Sequence, residues 1–190
     1  MIENYYFVVG MMSGTSLDGV DLVYAKFKKE DYTQFEITFS ETVSYSSEWK
    51  IRLREAISYD KAKLDWLDIE YGELIAEEIN RFILKNGIDK IDFIASHGHT
   101  ILHEPDEGIT LQIGDGQTIA NKTSRKVICD FRTQDVKLGG QGAPLVPIGD
   151  RLLFSHYKYC INLGGFANVS FESHNGNRIA YDICPVNIVL

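Results

Sequence analysis

The sequence predicts an α/β protein with one full lobe followed by the beginning of a second, similar lobe. Three alternating apolar segments come first, and helical and strand patterns then alternate to about residue 131. A strand, a glycine-containing turn and another strand open the chain, and the same order returns after a glycine-rich connector. We therefore predict a first lobe over residues 1–137, a connector with a helix over 138–158, and three strands of a truncated second lobe over 159–190.

The first lobe is predicted to begin with three strands, over residues 5–12, 19–28 and 35–45. The segment SGTSLDG between the first two strands is too short for a helix, so these strands should form a hairpin. The third strand alternates apolar and polar residues in FEITFSETVSY. Three consecutive strands without a helix between them indicate an antiparallel beginning of the sheet.

Two helices should follow these strands. The first helix, over residues 46–58, begins with serines at capping positions, and its residues Trp49, Leu53 and Ile57 have helical spacing. The second, over residues 63–85, should end at Asn86-Gly87. Its predicted inner stripe, with Glu78 at the edge, consists of Leu64, Leu67, Tyr71, Leu74, Ile75, Glu78, Ile79 and Phe82.

The remainder of the first lobe alternates between strands and helices. KIDFIASHGHT is predicted to be a buried strand whose polar carboxyl end meets a ligand crevice. LQIGD, IANKT and KVICDF then continue as strand, helix and strand. Three antiparallel strands followed by this alternation are typical of the ribonuclease-H-like α/β fold. The strands YCINL, FANVSFES and RIAYDI would begin the second lobe.

Composition narrows the functional classes. The net charge of −8 argues against nucleic acid as a partner, because phosphate backbones are bound by basic surfaces. Three widely spaced cysteines without a CxxC pair favour reduced thiols over a disulfide framework. The N-terminus has no basic region before its short apolar run, and no window reaches the ~18 apolar residues of a membrane span. We expect a soluble, cytoplasmic protein without membrane contact.

The turn between the first two strands has the residue types of an anion site. Its backbone can direct several N–H groups inward, hydroxyls can donate further hydrogen bonds, and carboxylates can hold the water shell of Mg²⁺. The residues concerned are Gly14, Thr15, Ser16, Asp18, Gly19 and Asp21. It is not a P-loop, since no GKS or GKT is present. A plain hairpin turn explains the same composition, so both interpretations stay open.

Three histidines in SHGHTILH raise the question of a metal site. His97 and His99 alternate along a predicted strand, which would place both imidazoles on one face. Zinc would need further ligands, and no cysteine pair stands near His103. Structural hydrogen bonding and ligand binding are the alternatives.

Five segments resemble the anhydro-N-acetylmuramic acid kinases in the same order, across residues 7–187. They are GMMSGTSLDGVD, SHGHTILHEPDEGITLQIGDGQTIA, DFRTQDVKLGGQGAPLVP, INLGGFANVS and YDICPVN. The resemblance implies two ribonuclease-H-like lobes around an ATP cleft, as in the sugar kinase, Hsp70 and actin superfamily. It also implies an ATP- and Mg²⁺-dependent enzyme that opens 1,6-anhydro-N-acetylmuramic acid with water and phosphorylates O6, in cell-wall recycling.

The resemblance assigns roles to individual residues. The turn residues listed above would bind the phosphates of ATP, with Mg²⁺ at Asp18. Asp182 would be the general base that takes a proton from the attacking water; a helix-capping aspartate is the alternative. The amino sugar would contact His97, Gln112, Asp130, Arg132 and Asn168.

Structural explanations remain open for several of these residues. Arg132 would grip the lactyl carboxylate of the sugar with two donors, or it would form a surface ion pair with Asp130. Asn168 would belong to a second phosphate loop, LGGFAN, or to a plain turn. Gln112 and Asp115 lie at the end of a predicted strand, and the same choice between a site role and a structural role applies to them. The family commonly has glutamine where His99 stands, which argues against a specific ligand contact by His99.

Two departures from the family pattern qualify the resemblance. Family members are longer, so this chain would contain the first lobe and only the start of the second. The usual Asp-Thr-Gly-Pro-Gly-Asn motif reads DICPVN here: Asp182, Pro185 and Asn187 match, but Ile183, Cys184 and Val186 do not. The sequence thus leaves open a truncated, non-catalytic nucleotide-binding module and a homodimer. A glycosidase-like hydrolase is disfavoured because it would leave the glycine–hydroxyl turn without a purpose.

Overall fold

The computed structural model describes residues 4–143 and 145–186, and its larger sheet is mixed. The strand order is β3-β2-β1-β4-β5, with β6 paired to β4. The strands are β1 (Tyr5–Ser13), β2 (Gly19–Lys28), β3 (Asp31–Ser44), β4 (Phe93–Glu104), β5 (Ile109–Ile113) and β6 (Val127–Ile128). The predicted hairpin of β1 and β2 and the antiparallel pairing of β2 with β3 are confirmed.

Strand β4 joins the two halves of this sheet. Its first part is parallel to β1 and to the short strand β6, and its second part is antiparallel to β5. The predicted strand KVICDF is present only over Val127–Ile128. With 12 residues, β4 is long enough to carry both pairings, and its middle lies at the edge of the site described below.

The helices predicted over residues 46–58 and 63–85, in IANKT and in the connector are confirmed, and a further helix over residues 133–137 was not predicted from the sequence. They are α1 (Ser47–Glu55), α2 (Lys61–Asn86), α3 (Gly116–Thr123), α4 (Thr133–Lys137) and α5 (Val146–Leu153). Ser46 Oγ accepts a hydrogen bond from Trp49 N at 3.2 Å, and Gly87 ends α2 in the left-handed conformation with φ 60°. Asp60 caps α2 through Lys63 N at 2.8 Å, so the helix begins two residues before the predicted start at residue 63.

Helix α2 covers one face of the sheet and forms the core with it. The fully buried side chains include Val9, Leu22, Leu67, Tyr71, Ile75, Ile79, Ile94 and Ile113. Most of the predicted inner stripe is confirmed, including Glu78, which is buried and pairs with Arg81 at 2.7 Å. The prediction that Ile57 continues the helical spacing of the first helix is wrong. α1 ends at Glu55 in a 3-10 turn over Ala56–Ser58, and this turn leaves Ile57 exposed.

A second sheet contains three antiparallel strands in the order β7-β8-β9. Its strands are β7 (Tyr159–Leu163), β8 (Phe166–Glu172) and β9 (Arg178–Pro185), which confirms the three predicted strands. Helix α5 connects to it through Asp150, which accepts a hydrogen bond from Ser170 Oγ. Arg178 Nη2 donates to the same hydroxyl oxygen at 2.8 Å. The connector helix therefore contacts the second sheet through a polar cluster.

Two further findings concern the cysteines and the length and polarity of the helices. Cys129, Cys160 and Cys184 are all free thiols. Among residues 4–143 and 145–186, no helix is both long and apolar enough to cross a membrane.

Candidate functional site

A cleft of about 870 Å³ lies between the turn after β1 and the turn after β7. The predicted site residues along this central cleft are Gly14, Thr15, Ser16, Asp18, Asp21, His97 and Arg132. Gly164 and Gly165 line it from the other side. The opening turns of both sheets therefore meet at one cavity, although about 150 residues separate them along the chain.

The turn after β1 is held by hydrogen bonds within itself. Leu17 N donates to Gly14 O at 3.3 Å, and Leu17 has a left-handed φ of 57°. Asp18 Oδ1 accepts from Ser16 Oγ at 2.7 Å and from Gly19 N at 3.1 Å. Asp21, three residues further along the chain and in β2, accepts from Thr42 Oγ1 at 2.6 Å. Both carboxylates thus have fixed positions at the rim of the cleft.

The glycines around the cleft differ from those that the fold itself requires. A Cβ on Gly19 would overlap the backbone carbonyl of Val43, so glycine is needed there for β2 to approach β3. A Cβ on Gly14 would meet nothing closer than Ser16 Oγ at 3.4 Å, and one on Gly165 would meet nothing within 4 Å. Packing does not demand glycine at these positions. Exposed backbone that a ligand can approach closely is a physical reason for it.

Arg132 and His97 form a pair at the inner wall of the cleft. Arg132 donates to His97 Nε2 through Nη2 at 3.0 Å and Nε at 3.2 Å, and through Nη1 to Gly142 O at 2.9 Å. A guanidinium has donors only, so Nε2 accepts and the imidazole proton lies on Nδ1, 3.1 Å from Gly98 O. Burial and the nearby Arg132 charge lower the pKa of His97, which favours this neutral form.

The expectation that His97 and His99 share one face is wrong. Met11 pairs with Ser96 but Ser13 pairs with His99, so β4 contains an extra residue opposite β1. Gly98 accommodates it with φ 71°. As a result His97 lines the cleft, whereas His99 Nδ1 lies 2.8 Å from Ser13 Oγ and only 3% of His99 is exposed.

A smaller cavity of about 240 Å³ adjoins His97 and contains two more predicted residues, Gln112 and Asp130. Gln112 Nε2 donates to Thr110 Oγ1 at 2.9 Å, while Gln112 Oε1 is buried and has no hydrogen-bond partner within the described ranges. Ser96 Oγ, also at this cavity, is buried without a partner among the same residues. The small cavity therefore offers unsatisfied polar atoms beside the central cleft.

The aspartates of the small cavity have structural bonds as well. Asp115 caps α3 by accepting from Thr118 N at 2.6 Å, and Asp68 accepts from Gly114 N at 2.6 Å. Burial raises the pKa of Asp68. Asp130 accepts from Thr133 N at 3.2 Å, whereas Arg132 binds His97, so the two do not form the ion pair considered from the sequence.

Asn168 and Asp182 lie on the second sheet, outside the linings of both cavities. They are register partners, and Asn162 pairs with Asn168 on its other side. Asp182 is exposed, and β9 continues past it to Pro185, two residues beyond the predicted strand RIAYDI. The predicted motif residue Asn187 lies outside the described residues. Asn168 is three residues beyond Gly165, the last residue of the turn after β7 that lines the cleft. Gly19, predicted at the phosphate site, also does not line the cleft.

The metal interpretation of the histidines finds no ligand set. No three His, Cys, Asp or Glu side chains converge in the described part of the chain. His103 instead lines the cleft beside Thr100 and lies 3.1 Å from Thr110 Oγ1 through Nδ1. Sequence reasoning missed Thr100 because its only signal, the polar end of a buried strand, does not distinguish one residue from the next.

Comparisons with known proteins agree with one family. The sequence model of the family described as "Anhydro-N-acetylmuramic acid kinase" matches residues 6–190. Relatives that carry this name include proteins of Shewanella loihica, 37% identical over the whole chain, and Paramagnetospirillum magneticum, 38% identical over 96% of it. A Shewanella pealeana protein is 40% identical over 98%. The chain covers 53%, 52% and 52% of these proteins, so it spans about half their length.

Proposed function

Because the chain belongs to the anhydro-N-acetylmuramic acid kinase family, we propose that it forms the first lobe, and part of the second, of an ATP-dependent sugar kinase. The substrate is 1,6-anhydro-N-acetylmuramic acid, and the products are N-acetylmuramic acid 6-phosphate and ADP, as in cell-wall recycling in the cytoplasm. The observation that carries this proposal is the 870 Å³ cleft, where the glycine-containing turns of both sheets face each other.

The proposed lobes are ribonuclease-H-like. Support comes from the antiparallel strands β3-β2-β1, followed by β4 parallel to β1 and β6 parallel to β4. In this interpretation β5 is an insertion paired to the far half of β4. The antiparallel strands β7 to β9 repeat the first three strands and begin the second lobe over residues 159–190, after a connector over 138–158.

On the nucleotide side, the turn residues Gly14, Thr15 and Ser16 hold the β- and γ-phosphates. Their backbone and hydroxyl donors line the cleft, and the position of Gly14 leaves room for close approach. Asp18 suits Mg²⁺ held through water, because Ser16 and Gly19 fix one of its carboxylate oxygens. The cation would offset the charge of the phosphates. Gly19 shapes the turn, and Asp21 adds a second carboxylate.

On the sugar side, Arg132 and His97 form the wall of the binding site. Arg132 has five N–H donors, and the contacts to His97 and Gly142 use three, so others can bind the lactyl carboxylate. Gln112 Oε1, buried without a partner in the described ranges, suits an amide N–H or hydroxyl of the sugar. Asp130 and Asn168 are proposed to bind further hydroxyls.

Asp182 is the proposed general base. Water attacks the anomeric carbon while its bond to O6 breaks, and O6 takes the γ-phosphoryl group from ATP. The proton of the water passes to the Asp182 carboxylate. A positioned base of this kind contributes roughly 10²–10⁴-fold in rate. Asp182 is exposed and stands in register with Asn168, so in the proposal both act from the second-sheet side.

Calorimetric titration with Mg²⁺-ATP tests the nucleotide site. Gly14→Val should abolish binding, because its methyl groups enter the cleft and block the approach of phosphate to the backbone. Gly149→Val is the matched control: a Cβ there meets nothing within 4 Å, and Gly149 lies in α5 outside the lining of the cleft. Unchanged affinity in Gly14→Val would contradict the phosphate role of the turn.

A further inference from the structure

Four buried polar side chains form a continuous hydrogen-bonded chain directly beneath the turn after β1. Ser13 Oγ lies 2.6 Å from Tyr45 OH and 2.8 Å from His99 Nδ1, and Tyr45 OH bonds to Tyr71 OH. Their exposed fractions are 1%, 8%, 3% and 0% for Ser13, Tyr45, His99 and Tyr71. Three of them come from β1, β4 and α2, and Tyr45 directly follows β3, so this hydroxyl chain connects four parts of the fold at one point.

Counting protons gives the hydroxyl chain a direction. Each hydroxyl has one proton, so if His99 Nδ1 accepts, Tyr71 donates to Tyr45, Tyr45 to Ser13 and Ser13 to His99. If His99 Nδ1 donated instead, every bond would reverse. The Tyr71 O–H would then have to donate to Ser13, with which its hydroxyl also interacts. Besides the effect of burial, the hydrogen bond between the two tyrosines raises the pKa of Tyr71 and lowers that of Tyr45, as expected when Tyr71 is the donor, so the first direction is favoured.

We propose that this directed hydroxyl chain positions the phosphate-binding turn, and that it does so only while His99 carries its proton on Nε2. The proposal rests on the proposed function for its consequence in nucleotide binding. Ser13 immediately precedes Gly14, and bonds from two sides fix its side chain. The backbone of the turn therefore starts from a point held by α2, β3 and β4. Ser13, Tyr45, Tyr71 and His99 are positioning residues, since none of the last three lines the cleft.

The electrostatic surroundings favour the same protonation. Burial, and next the neighbouring His97, lower the pKa of His99 to about 4, which keeps its imidazole neutral. The edge of the Tyr71 ring faces His99 with centroids 6.1 Å apart. Burial raises the pKa of Tyr45, and the carboxylates Asp18 and Asp21 raise it further, so Tyr45 keeps the proton that it donates to Ser13.

The tautomer can be measured directly. In the ¹⁵N-labelled protein at pH 7, the imidazole ¹⁵N shifts of His99 should show a protonated Nε2 and an unprotonated Nδ1. Assignment would use His99→Gln, which removes that pair of signals. A protonated Nδ1 on His99 would reverse the hydroxyl chain and overturn the proposal.

Hydrogen exchange tests the positioning role without a ligand. Leu17 N and Gly19 N both donate bonds within the turn, so their exchange reports its order. Ser13→Ala should speed their exchange by about tenfold, because Tyr45 loses its acceptor. His99→Leu should act similarly, whereas His99→Gln keeps an acceptor and should restore slow exchange. Equal exchange in Ser13→Ala and the wild type would contradict the proposal.

Tyr24→Phe is the control for a general loss of stability. Tyr24 OH donates to Lys90 O at 2.8 Å from the middle of β2, where Tyr24 pairs with Val9 and not with a residue next to the turn. Its loss should leave the exchange of Leu17 and Gly19 unchanged; an equal increase would make the effect global and overturn the positioning role.

Titration with Mg²⁺-ATP then separates the two proposals. Faster exchange in Ser13→Ala without ATP binding by the wild type would sink the phosphate site and leave the positioning role standing.

Discussion

The first three strands of each proposed lobe follow one another in the same antiparallel order but differ greatly in burial. In the first, Val9 and Leu22 are fully buried under α2. In the second, Ile161 is 65% exposed and Tyr181 is 56% exposed. Both sheets begin with a strand, a glycine-containing turn and an antiparallel strand. The difference shows that alternating apolar residues produce a strand in either case, whereas burial depends on a helix that covers the sheet.

The position of the first strand also differs. Strand β1 is central, because β2 and β4 pair with it on opposite sides, while β7 is at an edge of its sheet in the described part of the chain. Edge strands leave backbone groups unpaired and contribute less to a cooperative core. We therefore expect the first sheet to dominate the stability of the described residues, while the turn after β7 supplies residues to the cleft. The following predictions test this division.

The largest expected effect is on stability. Ile75→Ala should lower the free energy of unfolding by about 2–5 kcal/mol, because it leaves a cavity between α2 and the sheet at a fully buried position. The same change at the exposed Ile161 should cost within about 0.5 kcal/mol. Urea unfolding of both variants measures the difference. Similar losses would show that the second sheet is as much part of the core as the first.

The next effect is a pH dependence confined to the first sheet. Burial lowers the pKa of His99 from 6.5 to about 4, so the unfolded chain binds a proton more readily than the folded one. The contribution of neutral His99 to the free energy of unfolding is therefore complete above pH 6.5. About 3 kcal/mol of it is lost as the pH falls to 4.

His99→Gln isolates this contribution from the titration of carboxylates. Between pH 7 and pH 4, wild type should lose about 3 kcal/mol more of its unfolding free energy than His99→Gln, measured by urea unfolding at each pH. Parallel pH profiles for the two proteins would show that His99 does not resist protonation in the fold.

The third effect should appear in catalysis and leave stability nearly unchanged. In a form of the protein that shows turnover, Asp182→Asn should lower kcat at least about a hundredfold, roughly 2.7 kcal/mol, because the amide cannot accept the proton of the attacking water. ATP affinity and melting temperature should change little, since Asp182 is exposed on β9. Near-normal kcat in this variant would mean that the base lies elsewhere and that the second sheet supplies no chemistry through this residue.

Local sequence signals predicted the elements well where the chemistry is local. Ser46 and Gly87 mark helix ends because a hydroxyl acceptor and a left-handed glycine act on their own turn of the helix. The inner stripe of α2 was predictable from its spacing for the same reason. Ile57 was misplaced because a change from α-helix to a 3-10 turn alters the spacing without a strong residue signal.

The candidate site was predictable only in part. Seven residues assigned from motifs do line the central cleft, because short polar segments at strand ends carry a clear pattern. The roles of all these residues remain predictions, and Asn168 and Asp182 also lie outside the cavity linings. The hydroxyl chain had no signal at all: Ser13, Tyr45, Tyr71 and His99 are far apart in sequence, and each is an ordinary residue of its element.

The sequence by itself determined the strands, the capped helices, the repeated opening and the family of this protein. Each of these depends on neighbouring residues or on segments that can be compared directly. The tertiary structure decided that His97 faces the cleft and His99 the core, because a single extra residue at Gly98 shifts the pairing of β4 with β1. It also brought Gly14 opposite Gly165, because the path of the chain between them is fixed by packing against the whole fold.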